Sequence, residues 1–147
     1  MIPIVEGGSR RYGIAEGELD PLRRRRLFLV LGAHKAPQPL YFYYELSTLV
    51  GGHRPDLFRA GIEAVEEVIA TARSERFSTV ESPEVVWPED RSWVFCTDYD
   101  LVSTYIASDR TIAAALTADP QLETAEVSRD TRIDDNADNA NVPPGTP

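Results

Sequence analysis

The spacing at which apolar residues recur changes part-way along this chain, and that change constrains the fold more than any other feature. Over Asp56–Arg73, Phe58, Ile62, Val65, Ile69 and Ala72 fall on one face of a helix. Arg59, Glu63, Glu66 and Glu67 fill the other side, and Asp56 offers an N-cap acceptor. From Phe77 onward the apolar residues alternate in twos. Three strands are predicted, Glu84–Trp87, Ser92–Thr97 and Ser103–Ser108, with Pro88-Glu-Asp-Arg91 and Asp98-Tyr-Asp100 as connecting turns. A helical first half followed by a small antiparallel β-meander places the chain in the α+β class.

The remaining elements follow from local chemistry. Residues 1–19 are glycine-rich and expected to be irregular, with a short strand at Ile2–Val5. Asp20-Pro21 starts a helix, because the aspartate caps and the proline ring presets the first helical φ. Leu22–Ala33 continue it, although Leu27–Leu31 also reads as a buried strand. Leu40, Tyr43, Tyr44, Leu46, Leu49 and Val50 fit helical spacing before Gly51-Gly52, so residues 40–50 are read as a short helix. Their aromatic run favours a strand by propensity. Ser108 or Asp109 caps a last helix, Arg110–Ala118, closed by Asp119-Pro120, and Glu123–Val127 offers a final strand. The domain is thus expected to span residues 20–127. Residues 128–147 hold only Ile133 and Val142 as large apolar groups and read as a disordered acidic tail.

Composition excludes several classes. The 147 residues suit one domain with a core of its own. No apolar run exceeds the five residues of Leu27–Leu31, whereas a membrane-spanning helix needs about 20. A single cysteine, Cys96, excludes an internal disulfide framework and a cysteine-rich zinc site. The opening residues lack the basic start and apolar stretch of a signal peptide, so a cytoplasmic protein is expected. The net charge of −9 is lopsided: residues 1–75 carry ten basic and ten acidic side chains, residues 76–147 five and fourteen.

Asp98 and Asp100 follow the apolar strand Val94–Thr97. This resembles the strand-end Asp-x-Asp of haloacid-dehalogenase-type phosphotransferases, and also the metal-holding Asp-x-Asp of nucleotide-sugar transferases. Either resemblance implies a metal-dependent phosphate reaction at Asp98 and Asp100. Both chemistries need a large parallel sheet after the motif, and only 47 residues follow it. Two aspartates in a tight turn also serve a hairpin's own hydrogen bonds. Glu63-Ala-Val-Glu66-Glu67 is similar to part of the Nudix box, but Ile62 and Ile69 stand where that box has arginine and glycine. A solvated helix face is the simpler reading.

His34 and His53 have no metal-binding spacing, and Cys96 has no basic neighbour in sequence to activate it. Ser47, Ser103 and Ser108 lack a nucleophile-elbow setting, and neither Gly7-Gly8 nor Gly51-Gly52 is a phosphate loop. No catalytic, cofactor or metal site is expected. Arg23–Arg26 is the one basic block; four adjacent residues point all round a helix, so some must pack against the fold.

Three helices and a hairpin over residues 20–97 resemble a winged helix-turn-helix outline. The third helix, which would enter a DNA groove, exposes Glu63, Glu66 and Glu67, and phosphates repel such a face. The preferred expectation is a non-catalytic module that captures a basic protein partner. Its patch would be Trp87, Glu89, Asp90, Asp98, Tyr99 and Asp100, rings supplying contact area and carboxylates supplying steering. Inhibitors and immunity-type proteins work by that logic. The competing reading puts Trp87 and Trp93 in the core, Trp93 alternating with Phe95.

Overall fold

The computed structural model describes residues 2–6, 9–13, 19–34, 36–44, 56–75, 82–97, 103–128 and 130–131. Within them lie an α+β arrangement of three helices and a five-stranded antiparallel sheet, plus a separate two-stranded ladder. The ladder joins β1 (Ile2–Glu6) and β2 (Ser9–Gly13), with Glu6 opposite Ser9. The first is the strand expected at Ile2–Val5, one residue longer; the second corrects the irregular reading over Ser9–Gly13. Two residues, both glycine, separate the strands, and that is the composition short hairpin connections favour.

Helix α1 (Pro21–Ala33) begins as its sequence dictates: Asp20 accepts hydrogen bonds from the backbone N–H of Leu22 at 3.0 Å and of Arg23 at 3.2 Å. Strands β3 (Leu40–Tyr44) and β4 (Asp56–Ala60) pair antiparallel, Phe42 opposite Phe58. Helix α2 (Val65–Glu75) follows a 3-10 turn over Ile62–Ala64. Strands β5 (Val85–Pro88), β6 (Trp93–Cys96) and β7 (Tyr105–Ser108) lead to helix α3 (Arg110–Ala118), which Asp109 caps. The sheet order is β4-β3-β5-β6-β7.

Two predicted helices therefore begin as strands, and the described residues do not form the three-helix opening behind the winged-helix outline. The physical reason is shared periodicity. Positions i and i+4 coincide on one face in both a helix and a strand. Leu40 and Tyr44, or Phe58 and Ile62, cannot tell the two apart. Phe42 decides the first case: Leu40, Phe42 and Tyr44 are buried while Tyr41 and Tyr43 are half-exposed, a period of two. In the second case Gly61 is extended, so the helical path starts only after it. Residues 45–50 and the Asp98-Tyr-Asp100 turn lie outside the described residues. Glu123–Val127 is exposed and irregular, which corrects the expected last strand; no described strand runs beside it to complete a ladder. Most of the proposed tail, residues 132–147, also lies outside.

The helices cover one face of the sheet. Leu27, Phe28 and Leu31 of α1, Val65, Val68, Ile69 and Ala72 of α2, and Ile112 and Leu116 of α3 form one core with the inward sheet residues. Phe28 meets Trp93 edge-on at 6.3 Å and Phe95 at 5.7 Å between ring centres. Trp93 is thus core. Burial, reinforced by the charge of nearby Glu84, raises the Tyr44 phenol well above its ordinary pKa, with Arg24 opposing, so it stays neutral. Gly32 permits the close approach of Ile62: an added Cβ would lie 2.8 Å from Ile62 Cδ1.

The basic block is used inside the fold. Arg24 turns inward from α1 and grips Glu66 of α2 with two hydrogen bonds, 3.2 Å and 2.9 Å, while donating a third to Ser82 Oγ at 3.3 Å. Arg26 reaches the buried Asp119 carboxylate at the end of α3 at 2.7 Å. Glu66 is therefore not merely part of a solvated face, as the helical wheel implies. Hydrogen bonds from Arg26 and from the Gln121 backbone hold Asp119 below its ordinary pKa. A depressed folded-state pKa stabilises the fold above the unfolded value, about pH 4. That stability is lost as pH falls through the lower folded value. Asp119→Asn should lower the thermal midpoint at neutral pH, and the gap from the parent should close in strong acid. A gap that persists unchanged at low pH would contradict this assignment.

Candidate functional site

The sheet has a second face, and no described helix packs on it. Because side chains alternate along each strand, the residues between the core positions point to this outer side. Tyr41 and Tyr43 come from β3, Val85 and Trp87 from β5, and Leu57 from β4, the last 56% exposed. Among the described residues, this apolar, aromatic sheet face without a covering helix is the most unusual surface.

Its organising element is a row across three strands. Tyr41 of β3 lies opposite both Arg59 of β4 and Trp87 of β5. The Tyr41 and Trp87 rings stack, 5.6 Å apart and 13° from parallel. The Arg59 guanidinium sits over Tyr41, 5.8 Å from the ring centre, and donates to the Tyr41 hydroxyl at 3.3 Å. Glu89, at the turn after β5, accepts from Arg59 at 3.1 Å and from the Tyr41 hydroxyl at 3.4 Å. These bonds, the one to Tyr41 foremost, raise the Arg59 pKa above its ordinary value, so it remains a cation. The row is a fixed, charge-balanced ladder.

The residues expected in a partner patch divide three ways. Trp87 and Glu89 come together in this ladder. Asp90 lies in the adjoining turn, where its carboxylate accepts the Ser92 backbone N–H at 2.9 Å and its own N–H is held by Gln38. Asp98, Tyr99 and Asp100 lie outside the described residues. Comparison with family models, curated proteins and solved structures gives no match for this chain. The site must therefore be read from its own chemistry.

Tyr41 and Arg59 are the members that pattern reading misses. The signal for Tyr41 is its aromatic run, whose strand propensity competes with the helical spacing of the same residues. Arg59 gives none, since its place beside Tyr41 depends on the β3–β4 pairing. Between the turn and β7 the face dips into an open depression of about 620 Å³ lined by Trp87, Arg91, Ser92 and Val94 among others. Among the described residues no three His, Cys, Asp or Glu side chains converge as metal ligands, and no helix is long and apolar enough to cross a membrane.

Proposed function

We propose that this chain is a non-catalytic, cytoplasmic protein-binding module that captures a basic partner on the open sheet face, in the manner of an inhibitor or immunity-type protein. One observation carries the reading: a pre-stacked Tyr41–Trp87 pair stands on the solvent side of a sheet whose other side is already filled. Aromatic anchors that are rigid before contact lose little side-chain entropy on binding, which is what an interface centre requires. The partner's sign follows from the net charge of −9. Glu89 is balanced locally by Arg59, so steering comes from the field of the whole molecule and not from carboxylates beside the rings. A DNA-associated regulator is disfavoured by the same charge. A phosphate-handling enzyme would rest on Asp98 and Asp100 and draws no support from the described residues.

The test is kinetic. A protein captured by the full chain from native cells should associate more slowly as salt rises, because attraction is screened beyond about 8 Å at physiological ionic strength. Trp87→Ala should leave that association rate nearly unchanged and speed dissociation by about thirtyfold, as expected for a central anchor. A salt-independent association rate, or a Trp87→Ala complex as long-lived as the parent, would overturn the proposal.

A further inference from the structure

The outward row Arg59, Tyr41, Trp87 continues beyond β5 with Val94 of β6 and Ala107 of β7, which face each other across their strands. Two small side chains after a tryptophan leave the depression of about 620 Å³. Tyr41 stacks against Trp87 from the β3 side, so the depression lies on the other side of a ring already held in place. Arg91 lines the same depression, and its guanidinium forms no ion pair or hydrogen bond with any described residue. Ser92, also in the wall, has a buried Oγ with no hydrogen-bond partner among the described residues.

The geometry points to a binding site for a small aromatic monocarboxylate, its ring stacked on Trp87 over Val94 and Ala107 and its carboxylate on Arg91. Each part of the ligand answers one part of the wall. A flat ring extends the π ladder one step further, where an aliphatic chain would leave the indole face poorly matched. The Arg91 guanidinium presents paired N–H donors that fit a carboxylate in a bidentate way, and it repels a cation. A phosphate dianion would meet the same arginine but would be opposed twice as strongly by the net charge of −9. This site shares Trp87 with the proposed partner face, but its test needs no partner.

Phenylacetate is a suitable probe, with phenylacetamide as its uncharged counterpart. The full chain has two tryptophans, whose indole N–H signals can be followed by NMR during titration. Phenylacetate should shift the Trp87 signal saturably and by more than that of Trp93, which also borders the depression but whose ring is buried against Phe28. Phenylacetamide should bind about tenfold more weakly, the loss of one charge-assisted pair. Arg91→Gln should weaken phenylacetate by about the same factor without affecting phenylacetamide, and Arg91→Lys should restore part of the loss. An unchanged thermal midpoint in Arg91→Gln would show that the fold is intact. Absence of a saturable Trp87 shift, equal affinity for acid and amide, or full binding by Arg91→Gln would each overturn the assignment.

Discussion

Phe95→Ala should cost about 3–5 kcal/mol of folding stability, the usual range for truncating a fully buried phenylalanine. Phe95 is 0% exposed, lies on the inward side of β6, and packs its ring against Phe28 of α1. Its removal takes away contacts on the sheet and on the helix together, and Val86 opposite cannot swing into the space without leaving its own strand register. A domain of this size has a total stability of only about 5–15 kcal/mol, so the variant should be partly unfolded at modest denaturant. Val94, one residue earlier, points to the opposite face, and Val94→Ala should cost under about 1 kcal/mol. Urea titration of both variants measures the difference directly. Similar midpoints for the two would mean that the inward and outward faces of β6 have been assigned the wrong way round.

That Trp93 and Phe95 share one face is legible in the sequence itself, because they alternate along the strand; Trp93–Cys96 is apolar throughout, so which face turns inward is set by the packing. The same holds for the two aspartate caps: Asp20 and Asp109 both accept the backbone N–H groups their positions suggest. The Pro88–Arg91 turn between β5 and β6 is legible too, although Arg91 there takes the left-handed conformation, φ 54°, which a glycine would adopt more easily. Failure begins where one spacing satisfies two structures. Leu40 and Tyr44 fit both a helix and a strand, and the choice depends on β5 arriving from more than forty residues later to pair with β3. Tertiary pairing of that kind leaves no local mark. The site suffers for the same reason, since the ladder exists only once β4, β3 and β5 lie side by side. Trp87 and Glu89 can be named from the sequence as an aromatic beside an acid, but their partners cannot.

The Arg24–Glu66 contact also escapes the helical wheel, and it makes the second large expectation. Viewed alone, Glu66 lies on the polar side of α2, so Glu66→Ala would be thought harmless. The structure puts the Arg24 side chain only 4% exposed, with Glu66 accepting two of its hydrogen bonds and 54% exposed itself. Removing the carboxylate leaves a guanidinium that cannot easily reach water, held only by the neutral acceptors Ser82 Oγ at 3.3 Å and the Leu19 carbonyl at 3.5 Å. Breaking a fully buried pair in this way costs about 3–5 kcal/mol; Glu66 is half solvated, so Glu66→Ala should cost about 2–3 kcal/mol. Arg24→Met should behave differently. It fills similar volume with an apolar chain and leaves a carboxylate that water can reach, so its cost should stay within about 1 kcal/mol. The decisive variant is the double one. With Arg24 already methionine there is no stranded charge, and adding Glu66→Ala should cost almost nothing further. Denaturant midpoints of the four proteins complete the cycle. Additive losses would show that Glu66 supports α2 by some route other than this arginine.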